Sequence, residues 1–279
     1  MADPFPRFSP NPLPAGSRVA CRVEYDGRSY SGWQAQPHLP VDTVQETLEA
    51  ALSQVAAQPL RCHCAGRTDT GVHGFAQIVH FDDPVGRSPK SWVHGTNASL
   101  PPSVRVHWAV AVAEEFHARF SALSRRYRYI IVNSAIRPAL LTGLATWQRL
   151  PLDAGLMHTE SQSLLGEQDF SAFRAASCQS PTPMRNVQQI SVSRSGDLIA
   201  IDITANAFLH HMVRNIAGAL MAVGCGKQQP GWLGELLVAG DRTQAADTAA
   251  PDGLYLLSVD YDERWGLPGA VPGPPLYPA

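Results

Sequence analysis

Within the 279-residue chain, the segment Gly66-Arg67-Thr68-Asp69-Thr70-Gly71-Val72-His73-Gly74 gathers the residue types best suited to chemistry. Three glycines and several polar side chains lie between two strand-like runs, where a tight, exposed turn can present a carboxylate. An aspartate, with a reference pKa of about 3.9, is almost fully ionised near neutral pH, and a nearby cation favours that state. An ionised carboxylate acts as nucleophile, general base or electrostatic stabiliser. Arg67 is the nearest such cation in sequence, and Arg214, on a helix-like segment of the second half, is another. The same residue types also make an ordinary turn, since Asp and Gly are common turn formers.

Two other chemistries can be weighed on the same residues. Asp69-Thr70-Gly71 spells the tripeptide of aspartic proteases, whose two aspartates share a proton. No second Asp-Thr/Ser-Gly occurs, and Arg67 would oppose proton sharing, so that chemistry is excluded. Attack on an anomeric carbon in a glycosidase generally needs a second carboxylate as general acid. No Asp or Glu lies within a dozen residues of Asp69 on either side, which weighs against it.

The basic residues are mostly arginine: of 22, only Lys90 and Lys227 are lysine. Arginine suits bidentate phosphate contacts and base stacking, although an Ala/Gly/Pro-rich chain can show the same bias for compositional reasons. Arg119, Arg125, Arg126 and Arg128 fall within ten residues that contain no acid, beside Phe120, Tyr127 and Tyr129. Basic residues interleaved with aromatics are what a surface that tracks a nucleic-acid backbone and stacks its bases requires; a solvated charged strand is the alternative.

The formal net charge of −2 and a hydrophobic content of 44% describe a globular chain with a sizeable core. No apolar run reaches the roughly 18 residues that span a bilayer, and the N-terminus lacks a basic, apolar leader, so no membrane association and a cytoplasmic location are expected. The five scattered cysteines do not form a disulfide framework. Cys62-His63-Cys64 invites a metal reading, but strand alternation sets the imidazole opposite the two thiols and no second pair completes a zinc site. The adjacent His210 and His211 likewise read as helix packing, so no metal is expected.

The elements that must position these groups alternate in type. Val19, Cys21, Val23 and Tyr25 mark a half-buried strand. Thr43 three residues before Glu46 is a capping box, followed by Val44, Leu48, Ala51, Leu52 and Val55 on one helical face. Strands are predicted over 60–65 and 75–81, flanking the Asp69 turn, and over 104–112 and 127–132. In the second half, 153–165 and 208–223 are helical, 187–193 and 198–204 form a hairpin about Ser195-Gly196-Asp197, 232–239 is a short helix and 254–261 a final strand. Hairpins outnumber strand–helix alternations, which points to antiparallel or mixed sheets with helices packed on them, an α+β fold. Residues 1–17, with five prolines, are expected to form a flexible tail, 18–124 and 125–266 two α/β halves, and 267–279 an extended Pro/Gly-rich tail.

Gly66-Arg67-Thr68-Asp69, with Gly71-Val72-His73, resembles the active-site motif of the tRNA pseudouridine synthase A family. The resemblance runs from about Val19 through Tyr25-Asp26-Gly27, Gly32-Trp33-Gln34, Phe116-His117-Ala118-Arg119-Phe120-Ser121, Arg126-Tyr127-Arg128-Tyr129, Phe208 with His211-Met212-Val213-Arg214-Asn215, and Gly253-Leu254-Tyr255. Thr70 stands where the family usually has alanine, and the first residues have no counterpart. The resemblance implies two similar α/β halves with the active-site cleft between them. It implies isomerisation of uridines at tRNA positions 38, 39 and 40 in the anticodon arm, with Asp69 as nucleophile, Tyr127 packed on the target base and Leu254 lining its pocket. Arg214 is then the partner of Asp69, Arg67 helps hold a flipped-out nucleotide, and a homodimer contacts one tRNA with both subunits. The reaction breaks C1′–N1, turns the uracil and forms C1′–C5, conserving atoms and electrons, so no cofactor is expected. Asp69 either attacks C6 of the uracil or assists at C1′.

Overall fold

The computed structural model describes residues 8–36 and 38–269. They form two compact units: residues 8–123 with 259–269, and residues 124–258. The second half had been expected to run to 266. The chain instead re-enters the first unit at Val259, where Tyr261 donates a hydrogen bond to the Ala118 carbonyl at 2.6 Å and Trp265 packs edge-on against Phe116.

In the first unit, β1 (Arg18–Tyr25) lies between β3 (His73–Asp82) and β4 (Val104–Val112), antiparallel to both. The two-residue β2 (His63–Cys64) pairs with β3. Alternation along β1 sends Val19, Cys21 and Val23 to one face, where they form a core with Leu48 and Leu52 of α1 (Val44–Ala56) and Trp92 of α2 (Pro89–Ser99). Ala20 points to the other face, among Ile78, Phe116 and Ala118. α1 begins where the capping box placed it: Thr43 Oγ1 accepts from the Glu46 amide at 3.3 Å.

The second unit has the strand order β10-β5-β9-β8-β7, from β5 (Ala122–Asn133), β7 (Gly166–Asp169), β8 (Met184–Ser195), β9 (Leu198–Ala205) and the first five residues of β10 (Leu254–Tyr261), with β6 (Thr146–Gln148) parallel to β5. The helices are α3 (Ala154–Ser161), α4 (Met212–Gly224) and α5 (Trp232–Ala239). α3 lies on β8 and against α4, where a Cβ at Gly224 would stand 2.7 Å from Met157. With antiparallel pairings dominant and helices on the sheets, the architecture is the expected α+β one.

Three departures have local causes. α4 starts at Met212 rather than 208, because His211 adopts φ +61°, outside the helical region. The helix predicted to 165 ends at Ser161, and the residues beyond tighten into a 3-10 turn before β7. Part of the expected N-terminal tail is anchored: the Leu13 and Gly16 amides donate to the carbonyls of Arg87 and Asp83. Residues 1–7 and 270–279 of the expected tails lie outside the described residues. No helix among the described residues is long and apolar enough to cross a membrane.

Candidate active site

Asp69 sits on the connection from β2 to β3, half-buried, between exposed Arg67 and Thr70. The turn closes when the Val72 amide donates to the Asp69 carbonyl at 3.1 Å, with Gly71 at φ +79°. Two neighbouring segments, 25–27 and 32–33, then fix it. The Trp33 amide donates to the Thr68 carbonyl at 3.0 Å, and Gly32, at φ +91°, comes so close that a Cβ there would stand 2.9 Å from that same oxygen. The Gly27 amide donates to His73 Nδ1 at 3.2 Å, and a Cβ at Gly27 would collide with the Val72 carbonyl. The Thr68 hydroxyl shares a 2.7 Å hydrogen bond with Tyr25. Gly32 and Trp33 are tied in turn to the first turn of α1, through the Val44 and Gln45 amides. The glycines are therefore required by close backbone approach as well as by turn geometry.

His73 Nδ1 also lies 3.4 Å from Asp26. While it accepts from the Gly27 amide, that nitrogen carries a lone pair, so the contact with Asp26 is not an ion pair. Burial opposes ionisation of Asp26, but hydrogen bonds from Arg28 hold its carboxyl below the usual range.

Gln77, on β3, is a residue the sequence reading missed. It is fully buried. Its Nε2 donates to the Gly66 carbonyl at 2.6 Å and to the Tyr25 hydroxyl at 3.5 Å, while its Oε1 accepts from the Gly66 amide at 3.3 Å. One side chain thus satisfies both main-chain polar groups at the entrance to the Asp69 loop.

The remaining predicted residues, apart from Arg119, belong to the second unit. Tyr127, on β5 opposite Ile203 of β9, is buried, with its ring edge-on to Phe208 at 4.9 Å. Leu254 opens β10 and is buried; the preceding Gly253 lies so close to β5 that a Cβ would stand 2.3 Å from the Ile130 carbonyl. Arg214 lies in the first turn of α4 and is bound to Ala249 twice. Its Nε donates to the Ala249 carbonyl at 2.8 Å, and its own carbonyl accepts from the Ala249 amide. A cation in a helix's first turn works against the helix dipole, so helix stability alone does not account for an arginine there. The neighbouring Asn215 donates to the Phe173 carbonyl and accepts from Thr248 and Arg242.

The three arginines of β5 do not share one face. Arg126 and Arg128 share one side of β5 and Arg125 takes the other, because strand side chains alternate. Asp202, directly across from Arg128 on β9, accepts from it at 3.0 Å on each of two oxygens and from Arg126 at 3.2 Å. Arg128 is buried in this pair. Arg125 donates to the Asn206 carbonyl. Arg119 belongs to the first unit, is exposed, and together with Arg67 lies close enough to influence the Cys64 thiol, which burial nonetheless pushes up to about 12. Cys62 and Cys64 are free thiols, the first buried; His63 between them is exposed, as alternation predicts.

Comparison with known proteins gives a consistent result. The family model described as "tRNA pseudouridine synthase" matches residues 22–121 and 161–262. A protein of Legionella pneumophila (strain Lens) named tRNA pseudouridine synthase A is 55% identical over 257 residues, 92% of this chain and 97% of its own length. Proteins of the same name from Salmonella arizonae and Enterobacter sp. (strain 638) are 54% and 56% identical over 92% of this chain and 94% of theirs.

Proposed function

The chain belongs to the tRNA pseudouridine synthase family, and from that membership we infer that it isomerises uridine to pseudouridine in tRNA, with Asp69 as the nucleophile. The observation that carries the assignment of Asp69 is the way its loop is held. Two segments named in the sequence motif, Tyr25-Asp26-Gly27 and Gly32-Trp33, converge on it by hydrogen bonds and by approaches that admit no side chain at Gly27. A loop backbone held this way presents its aspartate from a fixed position, which is what a nucleophile needs and an ordinary turn residue does not.

The rest of the reading assigns roles to neighbours. The target uridine leaves its stack at a cost of a few kcal/mol, and stacking on Tyr127 returns about 1–3 kcal/mol. Leu254 lines the pocket for the detached uracil. Arg214 pairs with the carboxylate, and Arg67 holds the extruded nucleotide. In the reaction the C1′–N1 bond breaks, the uracil turns, C1′–C5 forms, and the proton on C5 is lost as N1 regains one. The targets are uridines 38, 39 and 40 of the anticodon arm, and the enzyme works as a homodimer in the cytoplasm. For phosphate contacts Arg119, Arg125 and Arg126 are the better candidates, since Arg128 is committed to Asp202.

The test is pseudouridine mapping on tRNA transcripts. Wild type is expected to modify the anticodon arm, while Asp69→Asn binds the same transcripts and forms no pseudouridine. Undiminished product from Asp69→Asn would overturn the assignment.

A further inference from the structure

Four rings pack in sequence in the first unit, outside the Asp69 loop. His63 stacks on His80 (5.1 Å between centroids), His80 meets His117 edge-on (4.6 Å) and His117 lies tilted against Phe120 (4.3 Å). Phe120 ends the series and is 76% exposed. Its presentation is not accidental, because the backbone beneath it is held by the imidazoles. The Ala118 amide donates to His80 Nδ1 at 3.1 Å, and the amides of Arg119 and Phe120 donate to His117 Nδ1 at 3.1 and 3.3 Å. The turn is closed by the Ser121 amide on the His117 carbonyl, and Ser121 Oγ accepts from the His117 amide, both at 2.9 Å.

An imidazole accepts a hydrogen bond only when neutral. Burial, reinforced by the neighbouring rings, lowers the His80 pKa to about 4 and moves that of His117 in the same direction, so both acceptors persist at neutral pH. The result is a large apolar ring held in one orientation toward water, and its surroundings indicate what it suits. The Arg119 guanidinium stands 5.6 Å from the Phe120 centroid, and Arg119 and Arg67, both exposed, add positive charge on this part of the unit. A rigid exposed π-face beside arginines suits an unstacked nucleobase with its phosphates.

We propose that Phe120 is a preformed stacking platform for an unpaired base of the RNA substrate other than the target uridine, with Arg119 on the adjoining phosphate. The proposal rests on the tRNA reading above and extends it to a second recognition point.

The test measures binding of an unmodified tRNA transcript and its conversion by wild type, Phe120→Ala, Phe120→Leu and Phe120→Tyr. Exposed Leu140, 92% accessible, provides the control variant Leu140→Ser. Alanine is expected to weaken binding about tenfold, within the range for loss of one stacked base, while conversion at saturating enzyme changes little. Tyrosine restores binding, leucine does not, and the control binds as wild type. Wild-type binding by the alanine variant, or equal rescue by leucine and tyrosine, overturns the platform. So does a change in molar mass by light scattering in the alanine variant, which would make the ring a contact between copies. If wild type binds but forms no pseudouridine, the isomerase reading fails, and the binding series still decides the platform.

Discussion

Replacing Gln77 by methionine keeps the volume of a fully buried side chain and removes only its amide. The Gly66 carbonyl loses a 2.6 Å donor, the Gly66 amide a 3.3 Å acceptor, and Tyr25 a weak 3.5 Å donor, though it keeps Thr68. Leaving a buried polar group unpaired costs about 1–3 kcal/mol; Gly66 is partly exposed and water can compensate in part, so roughly 2 kcal/mol is expected. That loss falls on the entrance to the Asp69 loop. Since 1.36 kcal/mol is a factor of ten in rate, Gln77→Met should lower kcat about thirtyfold while the tRNA Kd moves less than about threefold. The glutamate variant separates positioning from general stability. As a carboxylate it has no proton for the Gly66 carbonyl, but burial raises its pKa, and as pH falls the protonated form regains one donor and one acceptor. The ratio of Gln77→Glu to wild-type kcat should therefore climb from pH 8 to pH 6. Single-turnover rates with folded fraction checked by circular dichroism supply the measurement. A methionine variant with wild-type kcat and only a lower Tm, or a ratio flat with pH, would refute positioning by Gln77.

Arg119→Ala should reduce the slope of log Kd against log salt by about one, as loss of one phosphate contact does. Arg128→Ala should leave the slope unchanged and instead destabilise the second unit. Breaking a buried ion pair costs about 3–5 kcal/mol, reduced to roughly 2–3 because Arg126 still reaches Asp202, and calorimetry should show Tm lowered by roughly 5–10 °C. His80, held neutral in the fold with a pKa near 4, gives a pH signature. The unfolded chain takes up this proton near pH 6.5 and the folded chain only near 4, so stability falls across that window and levels off below it. The full shift corresponds to about 3.4 kcal/mol, which solvent screening reduces to on the order of 2 kcal/mol. His80→Gln, which keeps an acceptor for the Ala118 amide, should abolish that component in urea titrations across the window.

The groups proposed to carry chemistry are legible because they interrupt the pattern of their surroundings. Asp69 lies among glycines between apolar runs, and Arg214 puts a cation on an otherwise apolar helix. Elements with strong periodicity were equally plain: β4, β10 and α5 have the boundaries their alternation or helical spacing predicts. α2 escaped because only Trp92, Val93 and Thr96 of its eleven residues are buried, too few to make a stripe, although Ser88 before Pro89 was a readable start. What could not be read is pairing across strands, since register is set by residues far apart in sequence. Arg125, Arg126 and Arg128 read as one patch in sequence, yet alternation divides them and register puts Asp202 beneath Arg128. A signal was present even so: an acid inside Leu198-Ile199-Ala200-Ile201-Asp202-Ile203 has to find a cation, and the arginine-rich strand was the available source. Gln77 follows the same logic inside His73-Gly74-Phe75-Ala76-Gln77-Ile78-Val79, where a buried amide must satisfy donors and acceptors that the strand ladder does not supply. The residues that position a site are thus the polar interruptions of apolar strands, as the proposed nucleophile Asp69 is the interruption of a turn, and their partners are found by asking which unpaired groups lie across the sheet.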